Sequence, residues 1–202
     1  MFVDTDCIGI FGMRGMGKTT MSRRIQEFFP TKFIFDTIND YNDCKNVVHN
    51  YDELAQFVLD TQDQSGFTCV IKFPVSRDSN IEYFDACNEL LFHRGNCFIV
   101  YEELHVYANA HYCPPYMRHI ALLGRHENIG FAFTTQRIAE VNKTILTQTH
   151  HRFAGYVDNP NDLKTLKEWG YNQAELDQLE KYEFLWRNQR EVIKVDNYLN
   201  FK

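Results

Sequence analysis

The chain has 202 residues and a formal net charge of −6, with 21 Lys and Arg against 27 Asp and Glu. That balance excludes a surface coated in basic residues for nucleic-acid binding and leaves only a local loop or pore for such contacts. At 44% hydrophobic and 24% charged, the composition is that of a folded domain and not of a disordered tail.

Met1 to Asp6 is acidic and lacks the basic-then-apolar layout of a signal peptide. No apolar run approaches the length that crosses a bilayer. The six cysteines contain no C-x-x-C pair, which argues against a disulfide framework or a zinc site and fits a reducing cytoplasm.

An apolar strand candidate leads directly into Gly12-Met13-Arg14-Gly15-Met16-Gly17-Lys18-Thr19-Thr20, and a helical pattern from Thr19 to Phe29 follows. Gly12, Gly17, Lys18 and Thr19 satisfy G-x-x-x-x-G-K-[ST], and the strand–loop–helix setting is the context that gives this motif meaning. Glycines let consecutive backbone N–H groups turn inward around phosphate oxygens, and the helix start adds partial positive charge. Residues Gly12 to Thr20 are therefore the expected seat of a nucleoside triphosphate. Lys18 would reach the β- and γ-phosphates, and the Thr19 hydroxyl would ligate Mg²⁺.

Strand and helix candidates then alternate, as in a parallel α/β sheet. Lys32 to Asp36 reads as a strand and the polar stretch Asn39 to Asn50 as a loop. A helix runs from Tyr51 to about Asp60, with Asp52 as its expected N-cap. Phe67 to Phe73 is a strand closed by Pro74, and Asn80 to His93 is an amphipathic helix. Cys97 to Tyr101 is an apolar strand ending in Glu102 and Glu103. Pro114-Pro115 opens a helix ending near Asn128, before a strand from Gly130 to Thr135. Ile138 to His150 reads as helical, Phe153 to Val157 as a strand, and Asn159 to Asp162 caps a helix reaching Trp169. A short helix spans Gln173 to Leu179, and Tyr182 to Trp186 with Glu191 to Val195 reads as a hairpin turning at Asn188-Gln189. No repeat or linker interrupts the chain, so residues 1–202 are expected to form one domain.

Two strand tips carry candidate chemistry. An acid at the end of an apolar strand holds the Mg²⁺ water shell in P-loop ATPases. Glu102 stands where that acid is usually Asp, one methylene longer. Glu103 is the better-placed general base, and the alternative is an acidic turn after a buried strand. Gln136, ending the run Phe131 to Thr135, could bond the γ-phosphate or the lytic water, as a Gln does in small GTPases. A Gln in that position is also a common capping residue.

Taken together, the P-loop, the strand with paired acids and His105, the helix ending Gly124-Arg125-His126 and the strand with Thr135-Gln136-Arg137 resemble the FtsK–HerA superfamily of ATPases. The similarity continues through Val141, Leu146, Gln148, the Asn159-Pro160-Asn161-Asp162 turn and Lys164. It implies a RecA-like P-loop NTPase core of the ASCE type, with the Gln136 strand lying between the P-loop and acid-bearing strands. It also implies a ring, hexameric or pentameric, that hydrolyses ATP at its subunit contacts and moves double-stranded DNA. An arginine supplied to the neighbouring site is part of that implication, with Arg125 the first candidate and Arg118 the second. Arg137 would brace the site or face the subunit contact.

The bare motor domain is most similar to the genome-packaging ATPases of membrane-containing icosahedral viruses. That similarity implies work in the host cytoplasm and at the packaging vertex, beside capsid or membrane-vertex proteins. A morphogenesis or export ATPase of the same superfamily, a small P-loop kinase and a nucleotide-binding switch without turnover remain alternatives. Asn39 to Asn50 and Val106 to Pro115 are the candidate pore loops.

Overall fold

Period-two alternation of apolar residues decides which side of the sheet each strand feeds. Strand β1 (Cys7–Phe11) sends Ile8 and Ile10 to one core layer and Cys7 and Phe11 to the other. β5 (Cys97–Tyr101) divides in the same way, Phe98 and Val100 against Cys97, Ile99 and Tyr101. Because both layers are covered, these strands read as continuous apolar runs, as strands of buried parallel sheets do.

The computed structural model describes residues 2–72, 80–188 and 191–199. Among them, the remaining strands are β2 (Lys32–Asp36), β3 (Asn46–Val48), β4 (Thr68–Lys72), β6 (Ile129–Thr135), β7 (His151–Ala154), β8 (Glu183–Arg187) and β9 (Val192–Asp196). They join in one mixed sheet of order β3-β4-β2-β5-β6-β1-β7-β8-β9. β1 to β7 pair in parallel, and β8 and β9 close the edge as an antiparallel hairpin. This is the α/β architecture expected from the sequence, with β6 between β1 and β5.

Helix α1 (Lys18–Gln26) covers one face through Met21 and Ile25, joined there by Phe29 and Tyr41. The other face is covered by α2 (Tyr51–Asp60), α3 (Asn80–Arg94), α4 (Pro115–Leu123), α5 (Lys143–Gln148), α6 (Pro160–Glu168) and α7 (Gln173–Leu176). The register places the three central strand tips side by side, with Phe11 opposite Thr135 and Tyr101 opposite Phe133.

Four expectations are corrected. The stretch Asn39 to Asn50 holds the edge strand β3, whose Asn46, Val47 and Val48 pair with Cys69, Val70 and Ile71. α2 is capped by Asn50 in place of Asp52: its side chain accepts from Glu53 N at 2.9 Å, while Glu53 accepts from His49 N at 2.8 Å, a reciprocal cap. Ile138 to His150 is divided into a 3₁₀ turn (Ile138–Glu140) and α5, because Val141 is extended and Asn142 restarts the helix as its cap. β7 begins at His151 and ends at Ala154, two to three residues ahead of the expected span. Pro74 and Gln189, expected to close β4 and turn the hairpin, lie outside the described residues.

Candidate functional site

Between β1 and α1 the backbone turns through left-handed glycines, Gly15 at φ +88° and Gly17 at φ +92°. These are conformations a side chain would strain. Met13 N donates to Tyr156 O at 2.9 Å and Met16 N to Met13 O at 3.3 Å, which pins the loop to the end of β7. Gly17 caps α1 with no side-chain hydrogen bond. The first-turn amides of Lys18, Thr19 and Thr20 therefore lack intrahelical acceptors and face outward with the positive end of the helix. This amide cradle fits phosphate oxygens.

Lys18 is 7% exposed, and its Nζ lies 3.3 Å from Met13 O and 3.8 Å from Glu103 Oε1. Burial pulls the Lys18 ammonium below its ordinary range against the attraction of Glu103 and Glu102. A triphosphate would add to the negative charge that Glu103 and Glu102 set beside this cation.

β5 ends and immediately bends. Glu103 adopts a left-handed backbone, φ +52°, and starts the 3₁₀ turn Leu104–Val106. The bend turns its carboxylate toward β6. Gln136 Nε2 donates to Glu103 Oε1 at 2.8 Å, and Gln136 N donates to Oε2 at 3.2 Å. His105 Nδ1 lies 3.5 Å from Oε2 and 3.0 Å from Thr135 Oγ1. Lys18, Glu103 and Gln136 thus converge from three neighbouring strand tips.

Glu102 lies beneath them, 1% exposed. Tyr41 Oη donates to its Oε1 at 2.8 Å and Thr134 Oγ1 to its Oε2 at 2.7 Å. The Thr134 hydroxyl also accepts from Glu103 N at 3.0 Å, so one side chain ties both acids. Burial pushes the Glu102 carboxyl up, partly offset by hydrogen bonds from Thr134, Tyr41 and Ser22.

Tyr41 is held in turn by Asp36, whose carboxylate accepts from Asp40 N and Tyr41 N at 3.0 Å each and pairs with Lys72. None of Tyr41, Thr134, Asp36 or Lys72 was marked by sequence reasoning. Thr134 sits next to the quoted Thr135-Gln136, the one available signal.

A cleft of about 580 Å³ runs over the P-loop and is lined by Lys18, Thr19, Thr20, Glu103 and Gln136, with Tyr182 from the far end of the chain. A larger one of about 940 Å³ opens on the other side of Glu103 and Gln136 and includes His105 and Arg137. Two sequence candidates are not brought to this site. Arg118 and Arg125 are exposed, and Arg125 lies ahead of Ile129, at the opposite end of β6 from Gln136.

The sheet order, with β6 inserted between the P-loop strand and the acid-bearing strand, is that of a P-loop NTPase. Solved structures with this fold include the genome packaging NTPase B204 of Sulfolobus turreted icosahedral virus 2 in complex with AMPPCP. The match has a TM-score of 0.73 and 14% identity, over 98% of this chain and 96% of that one. B204 of Sulfolobus turreted icosahedral virus, the DNA-packaging ATPase, matches with a TM-score of 0.67 and 18% identity, over 100% and 97%. ATPases 2 and 3 of EssC from Geobacillus thermodenitrificans match with a TM-score of 0.61 and 15% identity, over 95% of this chain and 39% of that one. No protein-family profile and no curated protein matches the sequence. Among the described residues, no helix is long and apolar enough to cross a membrane.

Proposed function

We propose that this chain is an ATP-hydrolysing motor domain of the FtsK–HerA kind, which works as a ring to move double-stranded viral DNA into a preformed capsid. The convergence of Lys18, Glu103 and Gln136 on one cleft carries this reading, and the fold shared with two viral packaging ATPases supports it. The P-loop amides and Lys18 hold the phosphates. Glu103 takes the proton of the attacking water, Gln136 orients that water, and ADP leaves with phosphate as the second product.

Among the described residues no group of three or more His, Cys, Asp or Glu could hold a metal by itself. That fits Mg²⁺, which is commonly held by one or two protein ligands together with phosphates and water. Thr19, which lines the cleft, would hold it here, and Glu102, buried with both oxygens accepting from Tyr41 and Thr134, would reach it only through water. The ion would neutralise charge on the β- and γ-phosphates. Arg125 is the residue donated to a neighbouring subunit, with Arg118 as second candidate. Its flanking Leu122 and Leu123, 41% and 45% exposed, supply apolar surface for that contact. The domain acts in the host cytoplasm and docks at the capsid vertex.

ATP turnover measured with and without double-stranded DNA tests the reading. Turnover that DNA stimulates is expected, and Glu103→Gln should bind ATP while hydrolysing it about 10²–10⁴-fold more slowly. Absence of turnover under both conditions would overturn the motor assignment.

A further inference from the structure

Tyr182, in the turn before β8, is held in a conformation that its own side chain disfavours. Its φ is +73°, an outlier for a bulky residue that persists only where the surroundings impose it. The surroundings here are specific. Tyr182 N donates to Met16 O, inside the phosphate loop, at 3.1 Å. Glu183 braces the turn: its N donates to Glu180 O at 3.0 Å, and its carboxylate accepts from Glu180 N at 3.0 Å and pairs with Lys194 at 2.7 Å.

The result is a phenol ring laid directly on Gly17. A Cβ at Gly17 would stand 2.3 Å from the ring, so the approach depends on the same glycine that lets the loop turn. The ring keeps substantial exposure, 37%. Among the described residues, it is the one aromatic side chain lining the P-loop cleft. Lys181, on the same rim, carries its Nζ over the ring, 4.8 Å from the centroid.

We infer that Tyr182 is the platform on which the nucleobase stacks, the flexible Lys181 side chain moving off the ring to stand as a cation at the mouth of the cleft. This rests on the nucleotide-binding reading above. Phosphates cradled by the loop leave the base outside it, beside the first turn of α1, where Tyr182 offers a flat apolar face. Stacking on an aromatic ring tolerates any base, since every base presents a π-face.

Titration calorimetry in Mg²⁺ buffer, with ATP and with inorganic tripolyphosphate as separate ligands, tests the inference. Tyr182→Gly relieves the left-handed backbone and removes the ring. It should weaken ATP by roughly 5- to 100-fold and leave tripolyphosphate within about twofold of the wild-type chain, while Tyr182→Phe should retain ATP affinity. Unchanged ATP affinity in Tyr182→Gly overturns the inference. So does an equal loss of both ligands, which would make Tyr182 a prop for the loop. A wild-type chain that binds neither ligand removes the nucleotide reading itself, and this inference with it.

Discussion

The two acids at the tip of β5 have separate tasks although they are adjacent in sequence. Glu103 faces the cleft and Gln136, whereas Glu102 spends both oxygens on Tyr41 and Thr134. Lys18 carries an electrostatic cost of its position. Burial shifts its proton affinity down despite Glu103 and Glu102 nearby, so the folded state disfavours the charged form relative to water. The sign follows: removing that charge should not destabilise the ligand-free protein. Lys18→Met should melt at or above the wild-type temperature without nucleotide, and ATP should raise the melting temperature of the wild type alone. Thermal denaturation followed by fluorescence checks both arms, and a clear drop in the ligand-free variant would refute the sign.

At the level of elements, local pattern and observed structure agree best where a strand is an unbroken apolar run. β2 and β5 fall on their expected residues, because continuous burial is written into the apolar runs Phe33, Ile34 and Phe35 and Phe98, Ile99 and Val100. β3 is not legible in the sequence because it is three residues long and lies at the sheet edge among polar neighbours. The α2 cap was misplaced by two residues, since Asn50 and Asp52 are both good caps and only the geometry of Glu53 selects one. β6 is anchored at its start by the N-terminal segment. A Cβ on Gly130 would stand 2.2 Å from Asp4 O and 2.9 Å from Asp6 O, both backbone atoms. Gly130→Ala should therefore cost about 1–3 kcal/mol, lowering the melting temperature by roughly 2–12 °C for a chain of this size. Calorimetric melting measures the shift, and a variant as stable as wild type would show that the crossing segment moves freely.

For the whole molecule, the placement of Arg125 bears on how many chains would make one working site in the proposed ring. The seven residues of β6 separate its turn from Gln136, roughly 20 Å at the rise of a strand, so it cannot reach the phosphates held by its own chain. In the proposed ring it would serve a neighbour, and a finger of that kind is worth about 10³–10⁵ in rate. Arg125→Ala should lose ATP turnover, and an equimolar mixture with Lys18→Ala should recover part of it, because each chain retains what the other lacks. A mixture as inactive as its components would place Arg125 outside the reaction.

Sequence alone determined the phosphate loop, the paired acids, the strand tipped by Gln136 and the alternation that builds a doubly covered sheet. Each of these is encoded within about ten consecutive residues, where spacing translates directly into local geometry. Tertiary structure decided what those residues touch. It set Tyr41 on Glu102, Thr134 between the two acids and Tyr182 on Gly17, and it carried Arg118 and Arg125 away from the site. Such contacts join segments far apart along the chain. They depend on how β-strands are ordered and how loops close over their tips, and no local pattern of residue types records that.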